Sequence, residues 1–186
     1  MSRVFNLIFA ILVTILMIIP CLFLIIILRI TSKGSATYYS RRIGKDNKIF
    51  NMPKFRTMTV DTPELATHLL TNPNQFITPV GRVLRKYSLD ELPQLLSVIN
   101  GDMNLVGPRP ALHNQIDLIE ERSQKGIQFL KPGITGWAQV NGRDELTIQE
   151  KVELDLEYLH KRSLRFDLYI VWLTLIRVFK RNGISH

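Results

Sequence analysis

Residues 4 to 28 carry no charged side chain, and only Asn6 and Thr14 among them are clearly polar. As a helix this run would extend about 37 Å, enough for a hydrocarbon core of about 30 Å. A membrane anchor over residues 1–30 is therefore expected, leaving residues 31–186 for a single domain of ordinary size. A cleaved signal peptide fits less well, because the run is longer than a signal core and no small-residue cleavage site follows it.

Pro20 divides the run, and its ring removes one backbone hydrogen bond and crowds the carbonyl of Leu16, so a kink or break is expected there. The flank after the anchor holds Arg29, Lys33, Arg41, Arg42, Lys45 and Lys48, which places it on the cytoplasmic side. Arg3 puts positive charge on the other flank as well. Two topologies remain open: a straight span, or a helix bent at Pro20 that enters one leaflet and returns both basic ends to the cytoplasmic face.

Past the anchor, residues 36–58 suggest a hairpin, with Gly44, Lys45, Asp46 and Asn47 as turn residues. Residues 59–80 contain Pro63, Pro73 and Pro79 and read as a loop, with a short helix around Glu64 to Leu70. Helices are predicted at about 89–100, 110–125, 147–161 and 164–181, which makes the fold α+β and mostly helical. The last helix is apolar except for a stripe of Asp167, Thr174, Arg177 and Arg181; it either packs inside the domain or lies at the membrane interface. One Cys and four scattered His exclude a disulfide framework and the usual zinc spacings, so a bound metal would be a hard cation on carboxylates.

The helix near 89 opens with Ser88 and Glu91 at capping-box spacing, and Leu89, Leu92, Leu95, Leu96 and Ile99 share one face with Asp90 pointing away from it. Asp90 and Glu91 then either complement the helix dipole or sit where free N–H groups would also hold a phosphate. Near 147, Thr147 and Glu150 repeat the box, and Asp155 falls beside the apolar stripe of its helix, where it needs a cation or a donor: a buried Arg, or a role in a site. Two loops, 101–110 and 131–143, are dense in Gly and Pro and each carries an Arg. Arg109 is held between Pro108 and Pro110, so its backbone is pre-set and its guanidinium is suited to clamp a phosphate.

Five segments occur in order: Lys54-Phe55-Arg56-Thr57-Met58, Ser88 to Leu95 (SLDELPQL), Gly101-Asp102-Met103, Val106-Gly107-Pro108-Arg109-Pro110, and Pro132 to Arg143. Together they resemble the bacterial sugar transferase family, the monotopic phosphoglycosyl transferases, in what looks like its minimal form, over residues 1–181. The resemblance implies transfer of a sugar 1-phosphate from a UDP-sugar to undecaprenyl phosphate with release of UMP. It also implies a re-entrant anchor broken at Pro20, a catalytic domain with interfacial helices on the cytoplasmic face of the bacterial inner membrane, and Mg²⁺ as cofactor. By the same resemblance Asp90 is the nucleophile and metal ligand, and Glu91 handles protons or positions magnesium. Arg56, Arg85 and Arg109 stabilise phosphates; Asn141, Gly142 and Arg143 contact nucleotide or sugar; Asp155 and Tyr158 match a further substrate-binding pattern. Membrane lipid, a second copy of the chain and downstream glycosyltransferases are the implied partners.

Three departures accompany the match: Ile19 precedes Pro20 where the family commonly has Ser, Asn6 stands near a common acidic position, and Ile43 replaces a common Pro. Rival functions fare worse. The net charge of +8 suits a nucleic-acid binder, but no such motif appears and the cations cluster beside the anchor. An inactive scaffold would be favoured had Asp90, Glu91 or Arg109 been replaced, and none is. A glycosyltransferase acting at the sugar carbon is the nearest enzymatic alternative, and would release UDP.

Overall fold

The computed structural model describes residues 2–63, 73–142 and 145–179. The helix expected around Glu64 to Leu70, Arg143, and the chain beyond 179 lie outside the described residues. Helix α1, Arg3–Thr31, begins at Ser2, whose Oγ accepts from the N–H of Phe5, and runs through Pro20 without interruption. The chain therefore stays helical on both sides of Pro20, and of the expected kink or break only a bend within the helix is compatible with this. Leu16, whose carbonyl loses its donor, is 71% exposed, so that carbonyl lies on the outer side of the helix rather than in a packed core.

Along its whole length α1 presents one face to the rest of the chain. Asn6 and Ala10 are buried at one end and Leu28 at the other, with Val13, Cys21, Leu24 and Ile25 partly buried between. The opposite face, from Val4 through Leu16 and Ile19 to Ile30, is bare. Both ends are fastened to the same body. The Arg3 guanidinium donates to the carbonyls of Val98 and Ile99, and Asn6 Oδ1 accepts from the N–H of Leu105 at 2.8 Å. At the far end Leu28 packs with Ala36, Phe55 and Leu84.

The expected hairpin forms from β1 (Thr37–Ile43) and β2 (Ile49–Phe55), antiparallel with Thr37 opposite Phe55 and Ile43 opposite Ile49. Its turn places Asp46 and Asn47 at φ +57, a conformation that short polar side chains tolerate best after glycine. The free edge of β1 is taken by residues 111–113: Ile43 N–H donates to Ala111 O and His113 N–H to Arg41 O. That pairing explains why the helix expected from 110 begins only at Ile116, as α4 (Ile116–Gln124).

Four elements were not foreseen. Helix α2, Pro79–Lys86, starts inside the supposed loop, with Thr78 as N-cap and Pro79 in the first turn, where a missing N–H costs nothing. Strands β3 (Asn104–Val106) and β4 (Gly133–Thr135) pair in parallel, and α5 (Trp137–Val140) follows β4 directly. The two loops pack so closely that a Cβ on Gly133 would stand 2.1 Å from the Gly107 nitrogen.

The helix expected from 89 divides into a 3-10 turn, Leu89–Glu91, and α3, Gln94–Asn100, ended by Gly101 at φ +94. The capping box of Ser88 and Glu91 does not form, because Ser88 is left-handed (φ 55) and makes no side-chain cap. Since α3 starts at 94, its inward face is Gln94, Leu95, Ser97 and Val98, while Leu96 is 49% exposed. Asp90, expected to face outward, is buried.

Helix α6, Ile148–Lys161, has the full capping box of Thr147 and Glu150 and buries Val152, Asp155 and Tyr158. Helix α7, Leu164–Phe179, is inverted relative to a soluble amphipathic helix. The first part of its polar stripe turns inward, with Asp167 buried and Thr174 Oγ1 2.7 Å from Thr135 Oγ1, while Arg177 is exposed, as are Leu168, Tyr169, Trp172 and Leu175. The main core, with Val98, Met103, Leu105, Val106, Val152 and Ile170, lies between α3, the β3/β4 pair, α6 and α7.

Candidate active site

Four segments meet at Asp90 and Glu91, two of them distant in sequence. Strand β2 supplies Lys54, α2 supplies Arg85, the 3-10 turn supplies the two acids, and the loop after β3 supplies Arg109. A single carboxylate oxygen, Glu91 Oε1, accepts from Lys54 Nζ at 3.0 Å and from Arg109 Nη2 at 2.9 Å. All three side chains are largely covered, with 12% of Glu91, 15% of Lys54 and 26% of Arg109 exposed. Glu91 is thus drawn to cations from other elements, which accounts for the capping box it fails to complete.

Helix α2 aims Arg85 by resting directly on backbone. Thr78 N–H donates to Thr57 O at 3.0 Å, and a Cβ on Gly81 would stand 2.1 Å from that same oxygen, so only glycine permits the approach. One turn later on the same face, Arg85 Nε donates to Thr57 Oγ1 at 2.9 Å. Ser88, in the left-handed region that a side chain enters at some cost, then turns the chain so that Asp90 points inward.

Asp90 is 8% exposed, and its carboxylate makes no hydrogen bond among the described residues. Burial raises its pKa above the ordinary carboxylate value; Lys54 opposes this, Glu91 reinforces it, and Arg85 and Arg109 oppose it again. Burial likewise lowers the pKa of Lys54, with Glu91 restoring part of its charge preference. The site is a covered carboxylate with three cations around it, a pattern of perturbed groups that marks functional sites more often than structural ones. Chemically it suits an oxygen nucleophile attacking an anionic phosphorus centre whose charge the cations offset.

Among the described residues no three His, Cys, Asp or Glu side chains converge as a metal cage. The donor set does fit a divalent cation held by Asp90 together with phosphate oxygens of a substrate, the way Mg²⁺ is commonly bound.

The other expected site residues make the following contacts of their own. Arg56 Nε donates to Ser35 O at 2.7 Å, and its guanidinium stands over the Tyr38 ring at 5.9 Å. Asn141 ends α5, its Nδ2 donating to Trp137 O, and Gly142 follows at φ +152. Asp155 and Tyr158 are buried beneath the loops. Asp155 accepts two bonds from Arg122, at 2.6 and 3.0 Å, which is the buried-Arg alternative for its place beside an apolar stripe. The Tyr158 hydroxyl donates to Asp167 Oδ1 at 2.8 Å and approaches Val106 O; burial first, then Asp167, raises its pKa and keeps it protonated. Sequence reasoning missed Lys54 as a site residue, although it opens the first of the five motifs and stands two residues before Arg56.

The chain is 40% identical over 185 residues to the sugar transferase EpsL of Bacillus subtilis, covering all of this chain and 90% of that protein. It is 41% identical over 160 residues to the UDP-glucose:undecaprenyl-phosphate glucose-1-phosphate transferase of Escherichia coli, covering 81% of this chain and 34% of that protein. It is 34% identical over 201 residues to the UDP-galactose-lipid carrier transferase of Erwinia amylovora, covering 98% of this chain and 41% of that protein. The chain therefore spans well under half the length of the latter two and nearly all of the first. Lys54, Arg85, Asp90, Glu91 and Arg109 all lie inside residues 1–181, the stretch that matches the bacterial sugar transferase family from end to end, and the chain belongs to that family.

Proposed function

We propose that the chain is a phosphoglycosyl transferase that moves a sugar 1-phosphate from a UDP-sugar to undecaprenyl phosphate and releases UMP. The observation that carries this reading is the covered Asp90 carboxylate, without a hydrogen bond among the described residues, set among Lys54, Arg85 and Arg109. The names of the E. coli and Erwinia relatives supply the substrate class.

In the first step an Asp90 oxygen attacks the β-phosphorus, a P–O bond to the carboxylate forms, and the bond to the bridging oxygen breaks, so UMP leaves with the electron pair. In the second, a phosphate oxygen of undecaprenyl phosphate attacks the same phosphorus, the bond to Asp90 breaks, and the carboxylate returns. Arg85 and Arg109 offset the negative charge that gathers on the phosphoryl oxygens, and Lys54 does so from the opposite element. Glu91, holding Lys54 and Arg109 on one oxygen, orients two cations beside the nucleophile. Mg²⁺, held by Asp90 and substrate phosphates, would neutralise further charge on the diphosphate. Arg56 is assigned to a phosphate, and Asn141, Gly142 and Arg143 to nucleotide or sugar contact.

The lipid acceptor accounts for the bare apolar surfaces of α1 and α7, which suit contact with hydrocarbon and water-interface lipid rather than water. A straight span would carry Arg3 and Asn6 across the bilayer from the domain. Their bonds to Val98, Ile99 and Leu105, with Leu28 docked on the same body, favour a helix that enters and leaves on one face, here the cytoplasmic one.

The test is product identity. Full-length protein in detergent, given Mg²⁺, undecaprenyl phosphate and either UDP-glucose or UDP-galactose, should yield UMP and a lipid diphosphate sugar with at least one donor. UDP in place of UMP would overturn the reaction class.

A further inference from the structure

The loop that carries Arg109 is held by its carbonyls, one after another. Pro108 O accepts from the Gly133 N–H at 2.9 Å, Arg109 O from Arg122 Nη1 at 2.8 Å, and Pro110 O from Arg42 Nη1 at 3.0 Å. The three donors come from three elements: β4, α4 and β1. Pro108 and Pro110 have no N–H, so this stretch has fewer ladder bonds with which to hold itself. Each arginine is anchored in turn. Arg42 Nε donates to Ser40 Oγ at 2.9 Å, and Arg122 grips Asp155, which is 1% exposed.

A buried ion pair alone is a poor stabiliser, since an apolar pair of similar volume often serves as well or better. What an apolar pair could not supply is the third guanidinium donor of Arg122, the one spent on Arg109 O. The fork of arginine, rigid and with five N–H groups, is what lets one side chain hold a carboxylate and a carbonyl together.

We infer that Arg42 and Arg122 are positioning residues, which clamp consecutive carbonyls of the Pro-Arg-Pro loop and thereby hold the Arg109 guanidinium on Glu91 beside the nucleophile. The inference rests on the role given above to Arg109. Asp155 belongs to the same device, through Arg122. A displacement of about 1 Å in a charge-stabilising group can cost about a hundredfold in rate, so losing a clamp should be felt in the chemical step rather than in folding.

The test uses full-length protein in detergent, with Mg²⁺ and the UDP-sugar of a panel that gives the wild type its fastest formation of covalent sugar-phosphate adduct. Arg42→Met leaves the Arg122 pair whole, and Arg122→Met with Asp155→Leu keeps the interior filled. Each should retain a Tm within a few degrees of wild type and lose about tenfold or more in the adduct rate at saturating donor, with KM changed much less. Arg122→Lys, which keeps a charge for Asp155 without the fork, should likewise keep its Tm and leave the rate low. In an Arg109→Gln background, Arg42→Met should cost less than about twofold further, because the group it positions is gone.

Undiminished rates in the folded variants would overturn the inference while leaving the reaction intact. So would losses that multiply unchanged in the Arg109→Gln background, or full rescue of rate by Arg122→Lys. A wild type that forms neither adduct nor UMP with any donor overturns the reaction itself, and the inference with it.

Discussion

At the scale of single residues, the site trades stability for chemistry at Asp90. Burial raises its pKa, so the folded protein favours the neutral carboxyl, and the stability this lends is lost as pH rises through the folded value. Asp90→Asn should therefore melt higher than wild type at mildly alkaline pH, with the gap closing towards acid, while turnover disappears; differential scanning fluorimetry across pH checks the first and UMP release the second. The nucleophile must be ionised, so the rate of the first step should fall on the acid side at a pH above the ordinary carboxylate range of about 4. A pH–rate profile whose acid limb sits at the ordinary value would contradict the raised pKa. Lys54→Met removes a covered cation from the Glu91 oxygen that Arg109 also holds; a loss of about 10² to 10³ in kcat with little change in Tm is expected in steady-state assays.

Among the elements, what was legible in the sequence was local. The hairpin, the Thr147–Glu150 box and the Gly101 stop follow from residues within a few positions of one another, and each is found where expected. The box at Ser88 fails for a long-range reason, since Glu91 is taken by Lys54, 37 residues away. Helix α2 was hidden by the Pro79 and Gly81 that read as loop signals, and both have positional explanations: one begins the helix, and the other lets it touch Thr57. Arg42 and Arg122 carry no signature, because their importance lies in a carbonyl contributed by another segment. The expected residues Asp90, Glu91, Arg85 and Arg109 do converge, whereas Arg56, Asn141 and Tyr158 are held by Ser35, Trp137 and Asp167. Gly81→Ala should cost about 1–3 kcal/mol by forcing α2 off Thr57, and should reduce activity by displacing Arg85; chemical denaturation and UMP release read the two effects.

For the molecule as a whole, a bare apolar surface runs along α1, and α7 adds exposed Leu168, Tyr169, Trp172 and Leu175 while Asp167 is buried. Composition foresaw the long apolar helix, but the docking of both its ends on one body needed the fold, because Arg3 finds its partners 95 and 96 residues away. In a Cys21→Ser background, single cysteines at Ser2 and Lys33 should both react with an impermeant maleimide only from the cytoplasmic side of the membrane; labelling of position 2 from outside would establish a span. The central claim concerns the Asp90 carboxylate, and intact mass tests it most directly. Wild-type protein mixed with Mg²⁺ and UDP-sugars, without lipid acceptor, should gain the mass of one sugar phosphate and release one UMP, and Asp90→Asn should do neither. UMP formed only when undecaprenyl phosphate is present, with no adduct at any time, would show direct displacement and contradict Asp90 as the nucleophile.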